Sequence, residues 1–262
     1  MFSAIRVFSK VIALGSLALI LGGCATFENH KGERFPFTIK ASQVSKPSPT
    51  VIISHGGGCR TSQEDDWAKR FQNWGYNTVL IDHCTARNID PHTGREPAPL
   101  RPQARVDDYI AVAEWIRQQK WHLGKIAVFG ISRGGEAVMR ASDARFANNV
   151  RNGPEGLAQL DVYVALYPAC SLVPKAPRAP LLVMHGELDN LAVFGTCEYH
   201  TVEHINYSIK TYPDAHHGFD IQGPDLTGSN PFLGNFVIRR YNPSAAQRSF
   251  EDTRKFLETH LK

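Results

Sequence analysis

The sequence predicts an α/β fold in which helices flank a mostly parallel central sheet. Short β-branched and apolar runs, such as 50–54 and 77–82, alternate with longer segments that carry apolar residues at helical spacing. This alternation is typical of a parallel sheet, because a crossover helix connects each strand to the next. Polar residues with catalytic potential follow several predicted strands, at the edge where such sheets bind ligands. We therefore expect a single α/β domain over residues 35–262 with its site at that edge.

The predicted elements follow one another in a regular order. Strands are expected at 35–40, 50–54, 77–82, 126–129, 162–166, 180–184 and 207–212. Helices are expected at 63–74, 106–120, directly after Ser132, at 196–206 and at 245–261. Residues 87–101 are rich in proline and charge, so we expect an irregular loop that borders the site. Residues 146–160, with Gly153-Pro154, are expected to form a connection, and the Gly-rich stretch from residue 213 to 235 is expected to be irregular.

Residues 1–23 have the features of an export signal. Arg6 and Lys10 precede an apolar run at 11–21 that is too short to span a bilayer as a helix. Small residues and then Cys24 follow this run. The arrangement resembles a bacterial lipoprotein signal, whose cysteine becomes the lipidated first residue of the mature chain.

Cleavage of this signal predicts an exported protein. An acylated Cys24 would anchor the chain to a membrane in the cell envelope, facing the periplasm or the exterior. Residues 24–34 are polar and are expected to form a flexible tether to the domain. The alternative is an ordinary signal peptide cut near Ala25, which would also export the chain.

Export changes the interpretation of the remaining four cysteines. An even number of cysteines in an oxidising compartment is typical of disulfides, with metal binding as the less common use. Cys59 and Cys84 each follow the end of a predicted strand, so we predict that they pair with each other. Cys170 and Cys197 stand in the same relation to a later neighbouring pair of strands, and we predict a second disulfide there. Four free buried thiols are the alternative.

The charge of the chain argues against a nucleic-acid partner. The formal net charge is +4, and it falls to about +2 when the signal segment is removed. The sequence has no run of lysine and arginine interleaved with aromatic residues, so the scattered charges fit a solvated surface better. We expect a small-molecule substrate and a membrane contact through Cys24. The oligomeric state is open.

The central motif lies between the predicted strand at 126–129 and the helix that follows. It reads Gly130-Ile-Ser132-Arg-Gly134-Gly135. Flanking glycines allow a tight turn that presents a serine hydroxyl at the edge of the sheet, with a helix N-terminus behind it. The motif is common by composition alone, so its meaning depends on whether a base and an acid follow in the right places.

Both partners have candidates at later strand ends. A serine needs a histidine to take its proton and a carboxylate to orient that histidine, in the chain order serine, acid, histidine. Asp189 follows the strand at 180–184 and is preferred to Glu187, which lies nearer the strand. His216 and His217 both follow the strand at 207–212, and spacing alone does not choose between them.

Three motifs together resemble the dienelactone hydrolase family of α/β-hydrolases. They are Gly130–Gly135, Gly186–Asp189 and Ala215–Asp220, supported by weaker likeness at 81–87 and 166–170. The resemblance implies an α/β-hydrolase fold and ester or lactone hydrolysis, and it favours His217, because the family's histidine stands immediately before a small residue and Phe. The enzyme that names the family uses a cysteine nucleophile where this chain has Ser132. A serine esterase is therefore expected, with catalytic residues Ser132, Asp189 and His217.

Two further roles are assigned around the nucleophile. The backbone N–H groups of Arg133 and of Gly57, in the His55-Gly-Gly-Gly loop, are expected to form the oxyanion hole. The guanidinium groups of Arg133 and Arg87 are candidates to bind a substrate carboxylate. The alternative for Arg133 is simple exposure at a helix N-terminus or an ion pair with Glu136.

Other functions are weighed against this one. The segment His200-Thr-Val-Glu203-His204 matches a zinc-peptidase pattern, but it lacks a third ligand and a long helical domain. A binding lipoprotein on a hydrolase fold and a serine peptidase of similar fold also stay open. The ester is preferred to the peptide because such peptidases usually carry a gating domain, for which this chain has no room. We expect neither a cofactor nor a metal.

Overall fold

The predicted alternation of strands and helices is present in the computed structural model, which describes residues 26–90, 100–169, 174, 177–192, 206–230 and 235–262. Strands β1 to β11 are Phe27–Glu28, Arg34–Phe35, Thr38–Ser42, Ser48–Ser54, Asn77–Asp82, His122–Ile131, Val162–Leu166, Leu181–Gly186, Tyr207–Tyr212, Leu226–Asn230 and Asn235–Arg239. Helices α1 to α5 are Ser62–Asn73, Pro102–Ile116, Arg133–Ser142, Gly153–Leu157 and Pro243–His260. Short 3₁₀ helices span Thr85–Arg87 and Ala144–Asn149.

A seven-stranded sheet forms the centre of the molecule, in the order β3-β5-β4-β6-β7-β8-β9. Strand β3 runs antiparallel to β5, and every other neighbouring pair is parallel. The predicted mostly parallel sheet is therefore confirmed. Strand β7 is buried along its whole length, as expected for a strand covered on both faces. The nucleophile strand β6 lies in the middle of the sheet, between β4 and β7.

Helices cover both faces of the sheet and divide the core into two clusters. Helices α2 and α3 pack on one face of the sheet, and the side chains of Ile52, Val79 and Val128 point to this face. Helices α1 and α5 pack on the other face, against the intervening positions such as Ile53 and Phe129. Because successive side chains of a strand point to opposite faces, strands β4 to β8 each contribute to both clusters.

The N-terminal boundary of the domain differs from the predicted tether at 24–34. Strands β1 and β2 pair as a hairpin, and Phe27 is buried in the core. Its ring stacks on Phe37 at 4.9 Å between centroids and meets Trp115 edge-on at 6.0 Å. Burying this aromatic ring stabilises the hairpin against the domain by about 2 kcal/mol. The polar composition of the segment concealed one well-placed aromatic anchor.

Two segments for which no helix or strand was predicted contain regular structure. The segment 146–160 includes part of the second 3₁₀ helix and the short helix α4, whose second residue, Pro154, suits a first helical turn. The segment 213–235 includes β10, which pairs with β11 as an antiparallel hairpin outside the main sheet. Glycine and proline in these stretches mark turns between short elements, and they hid the elements themselves.

Several predictions concern residues outside the described part of the chain. These are the export signal at 1–23, lipidation of Cys24, the Cys170–Cys197 disulfide, the helix at 196–205, the zinc-like pattern at 200–204 and the loop at 91–99. Among the described residues, no helix is both long and apolar enough to cross a membrane.

Candidate active site

The structure builds a sharp turn at the end of β6, where the chain passes through Ser132 into α3. Ser132 has φ 52° and ψ −112°, a conformation that costs a non-glycine residue about 1–3 kcal/mol. A Cβ added to Gly130 would lie 2.3 Å from the carbonyl oxygen of Gly134, and a Cβ on Gly134 would lie 2.6 Å from the carbonyl oxygen of Ser54. Only glycine fits at these two crossings, so the motif lets α3 approach the sheet closely behind the serine.

We expect Gly130→Ala to lower the free energy of unfolding by about 3 kcal/mol, because backbone atoms must move to admit the methyl group. The same movement should displace Ser132 and lower esterase activity. Gly228→Ala is the control, since a Cβ there meets no atom within 4 Å. Urea denaturation of both variants checks the expectation. Equal stability of the two would contradict the close approach seen at Gly130.

Two loops bring the other predicted site residues to Ser132. Nε2 of His217 lies 3.1 Å from Oγ of Ser132, and Nδ1 of His217 lies 2.7 Å from Oδ2 of Asp189. A carboxylate only accepts hydrogen bonds, so Nδ1 carries the proton and Nε2 offers its lone pair to the serine hydroxyl. His217 and Asp189 are buried, whereas Ser132 is partly exposed and within reach of a substrate.

Backbone hydrogen bonds hold the acid loop against the histidine loop. The N–H of Leu188 donates to the carbonyl of Ala215 at 2.9 Å, and a Cβ on Gly186 would lie 2.2 Å from that same oxygen. Oδ1 of Asp189 accepts from the N–H groups of Leu191 and Ala192, at 3.0 and 2.9 Å. These contacts fix the carboxylate so that its second oxygen faces the histidine.

The residues that competed for the two roles lie elsewhere. Nδ1 of His216 lies 3.0 Å from the carbonyl oxygen of Leu188, and its ring is partly exposed. Glu187 is exposed on the outer side of the turn after β8. The structure thus brings His217 and Asp189 to Ser132 and leaves His216 and Glu187 outside this arrangement.

Charge balance favours an ionised carboxylate at Asp189. Burial by itself raises the pKa of this carboxyl group. The charge and hydrogen bond of His217, the charge of His185 and the backbone N–H of Ala192 act in the opposite direction and outweigh burial, so the pKa lies below its usual value. An ionised Asp189 accepts the proton on Nδ1 of His217 and so orients the ring.

A polar cluster that sequence reasoning missed lies behind the histidine. The ring of Tyr167 packs on the ring of His217 at 4.5 Å between centroids, and its hydroxyl donates to Asp220 at 2.9 Å. Asp220 also accepts from Nε1 of Trp67 at 2.8 Å and from Gln63. Tyr167 directly follows β7, a position that resembles the strand-end placement of the other site residues, and that was the available signal.

A cavity of about 490 Å³ opens between α1 and α5. Gln63, Trp67 and Asp220 form part of its wall, together with Arg70 and Phe250. None of Ser132, His217 and Asp189 lines this cavity. Its wall shares Gln63, Trp67 and Asp220 with the polar cluster behind His217.

The loop after β4 lies beside the nucleophile, as the prediction of Gly57 requires. A Cβ on Gly56 would lie 3.6 Å from Cβ of Ser132, and a Cβ on Gly57 would lie 3.2 Å from Cγ of Arg133. Glycine keeps this narrow space open. The N–H of Arg133 belongs to the first turn of α3, where backbone N–H groups have no partner within the helix.

The two candidate arginines have different surroundings. Arg133 is about half exposed beside the site and forms an ion pair with Glu136 at 3.0 Å. Arg87 instead binds inside the protein: Nη1 donates to the carbonyl of His83 at 3.0 Å and Nη2 to Asp108 at 2.9 Å. Both terminal nitrogens of Arg87 have these internal partners, which do not favour its predicted contact with a substrate carboxylate.

The structure contains the predicted disulfide between Cys59 and Cys84, with the two Cα atoms 5.9 Å apart. It joins the loop after β4, which contains Gly57, to the turn after β5. Within the described ranges, His55, Asp82 and Cys84 are grouped closely enough to suit a metal ion. The sulfur of Cys84 is committed to the disulfide, so this group does not supply three free ligands.

A serine turn after a central strand, an acid after β8 and a histidine after β9 are the arrangement of an α/β-hydrolase. The sequence profile of the dienelactone hydrolase family matches residues 37–261. The chain belongs to this family of hydrolases. A comparison with curated protein sequences gives no match.

Solved structures of similar fold agree with this classification. A dienelactone hydrolase from Anabaena variabilis is 19% identical, with a TM-score of 0.63, and the alignment covers 91% of this chain and 98% of that one. Esterase 2 from Thermogutta terrifontis, phosphoramylated by tabun, is 15% identical with a TM-score of 0.60, covering 90% and 92%. A dienelactone hydrolase-like promiscuous phosphotriesterase from metagenomic libraries is 16% identical with a TM-score of 0.53, covering 86% and 99%. At these identities the likeness extends to the fold alone.

Proposed function

We propose that this protein is a serine hydrolase that cleaves carboxylic ester or lactone bonds of small substrates through an acyl-enzyme. The observation that carries the proposal is the hydrogen-bonded series of Ser132, His217 and Asp189, with 3.1 Å and 2.7 Å between successive partners. Both distances lie within the hydrogen-bonding range that a nucleophile and its general base need.

The proposed reaction has two halves. Nε2 of His217 takes the proton of Ser132 as Oγ attacks the ester carbonyl, and the imidazolium then gives that proton to the departing alkoxide. Water, deprotonated by the same nitrogen, attacks the acyl-enzyme and releases the carboxylic acid. In a lactone, the departing alkoxide stays joined to the acyl group. Asp189 holds the imidazole in one tautomer and stabilises its charge in both halves.

The oxyanion that forms in each half needs hydrogen-bond donors. The N–H groups of Arg133 and Gly57 are assigned this role, because Arg133 directly follows Ser132 and the Gly56–Gly57 segment packs against these two residues. One such donor is worth about 3 kcal/mol of transition-state stabilisation. The exposed guanidinium of Arg133 is proposed to favour substrates that carry a carboxylate near the ester.

Hydrolysis of short p-nitrophenyl esters by the chain lacking residues 1–24 tests this proposal. The wild type is expected to turn over, to ignore a chelator and to be inactivated by paraoxon with one phosphoryl group on Ser132. Paraoxon is a suitable probe because Thermogutta terrifontis esterase 2 has been crystallised phosphorylated by it. Absence of both turnover and labelling would favour a non-catalytic binding protein, and chelator-sensitive peptidase activity would favour the zinc alternative.

We also propose that the chain is exported and anchored by lipid on Cys24. The apolar run at 11–21 and the small residues before Cys24 support export. The Cys59–Cys84 disulfide supports it independently, because such bonds persist in oxidising compartments.

Mass spectrometry of protein from a bacterial envelope tests the anchor. We expect a mature chain that begins at Cys24 and carries added acyl mass, and we expect Cys24→Ser to remain uncleaved at this point and to carry no lipid. An unmodified Cys24 in the wild type, or cleavage after it, would contradict the anchor.

A further inference from the structure

A buried serine, histidine and aspartate lie beneath the loop that follows β4, and they are linked in the same order as the three active-site residues. Nε2 of His83 lies 3.0 Å from Oγ of Ser54, and Nδ1 of His83 lies 2.6 Å from Oδ2 of Asp108. These distances nearly repeat those of Ser132, His217 and Asp189. The residues come from the ends of β4 and β5 and from α2.

This second serine is not placed for attack on a substrate. Ser54 and His83 are fully buried and Asp108 is nearly so. Oγ of Ser54 also meets the hydroxyl of Tyr109 at 2.8 Å and Nη1 of Arg105 at 3.3 Å. With three polar neighbours around it and no exposed surface, the serine belongs to a closed internal network, and its value must lie in what that network holds.

The network ends on the loop that contains Gly57. Arg105 is fully buried and reaches up from α2. Its Nη1 donates to the carbonyl oxygen of His55 at 2.8 Å, and its Nη2 donates to that of Gly56 at 3.3 Å. A guanidinium presents several N–H groups in one rigid plane, so it fixes two successive carbonyl groups at once.

The side chain of His55 also binds the carbonyl oxygen of Gly56. The N–H of His83 donates to Nε2 of His55 at 3.1 Å, which places the imidazole proton on Nδ1. Nδ1 lies 2.7 Å from the carbonyl oxygen of Gly56 and donates to it. Burial, with the charges of Arg105 and His83, lowers the pKa of His55 well below its usual value, so this ring is neutral and keeps that tautomer.

The carbonyl of Gly56 and the N–H of Gly57 belong to one peptide unit. The described residues contain no cis peptide bond, so the two groups point in opposite directions. We propose that His55 and Arg105 are positioning residues for the oxyanion hole: by holding the Gly56 carbonyl inward, they aim the N–H of Gly57 outward at the developing oxyanion.

This inference rests on the proposed esterase function and adds a cause for its electrostatics. Hydrogen bonds to a carbonyl polarise the whole peptide, and they strengthen the N–H on its other side as a donor. A donor fixed before the reaction does not have to reorient when charge develops on the substrate. The sequence motif supplies the glycines, and the buried side chains supply their orientation.

Two substitutions at His55 separate positioning from general support. In His55→Asn the amide nitrogen stands near the place of Nδ1, so the bond to the Gly56 carbonyl is retained and the acceptor for His83 is lost. In His55→Gln the amide stands near the place of Nε2, so the acceptor is retained and the bond to Gly56 is lost. Each variant removes one hydrogen bond, which matches their cost in stability.

The readout is the preference for a p-nitrophenyl ester over the thionoester in which sulfur replaces the carbonyl oxygen. Sulfur accepts hydrogen bonds weakly, so it gains little from the oxyanion hole. We expect His55→Gln to lower kcat for the oxygen ester by about 10- to 100-fold with little change in KM, and to lower the oxygen-over-sulfur preference by about 10-fold. His55→Asn should keep most of both.

The outcomes are distinct. Equal loss with both esters in His55→Gln, or a larger loss in His55→Asn, would show support without positioning and overturn the inference while the esterase proposal stands. A wild type that hydrolyses neither ester and resists paraoxon overturns both. Should the His55 variants fail to fold, Arg105→Lys repeats the test: an ammonium group lacks the rigid planar fork that holds two successive carbonyls, so the oxygen-over-sulfur preference is expected to fall.

Discussion

Replacing Ser132 with alanine is expected to lower kcat for ester hydrolysis by about 10⁴- to 10⁶-fold, since no other group in the site can form the acyl-enzyme. Residual turnover should come from binding and from oxyanion donors that still stabilise attack by water. The variant should fold normally, because alanine fits the backbone of serine. Steady-state kinetics and the mass of the protein after paraoxon treatment measure the two effects.

A matched control is available in α5. Ser249 is buried, and its hydroxyl donates to the carbonyl of Ala246 within its own helix. Ser249→Ala removes a buried hydroxyl without touching the site, so kcat and labelling should stay at wild-type values. If Ser132→Ala kept wild-type turnover or still accepted the phosphoryl group, Ser132 would not be the nucleophile.

The second large effect is expected at His217, whose neighbour in sequence provides its control. His217→Ala should lower kcat by about 10⁴- to 10⁶-fold, because the serine loses its general base. His216→Ala should change kcat little, since the His216 ring lies against the carbonyl of Leu188 and away from the nucleophile. Steady-state kinetics of both variants on the same p-nitrophenyl ester checks the contrast.

The rate of reaction with paraoxon gives an independent measurement for the same pair. His217→Ala should be phosphorylated far more slowly than the wild type, whereas His216→Ala should match it. If His216→Ala were instead the slower variant, His216 would be the general base and the assignment of that role to His217 would be wrong.

The parts of the site that could be predicted share one property: they follow strands that the local sequence pattern predicts. Ser132, Asp189 and His217 each come within a few residues of the end of a predicted strand, and the edge of a parallel sheet gathers such residues. The choice between His216 and His217 was beyond spacing, because both occupy the same turn. Family resemblance favoured the one that the structure places beside the serine.

The parts that escaped prediction depend on contacts between distant segments. No role was predicted for Arg105, which lies just before the predicted helix at 106–120; its contacts with the carbonyls of His55 and Gly56 depend on the crossing of α2 beneath the β4 loop. The ion pair of Arg87 with Asp108 was not predicted for the same reason, because the two residues are distant in sequence. Polar side chains near a strand end can be recognised in the sequence. Which of them face inward depends on the tertiary packing.

The hairpin of β1 and β2 has a consequence for where the enzyme works. Phe27 is locked into the core only three residues after Cys24. Three residues of chain reach at most about 10 Å, roughly a third of the thickness of a bilayer's hydrocarbon core. With Cys24 acylated, this short connection would hold the domain close to the lipid headgroups. The site would then encounter substrates dissolved in or released from that surface more often than substrates in bulk solution.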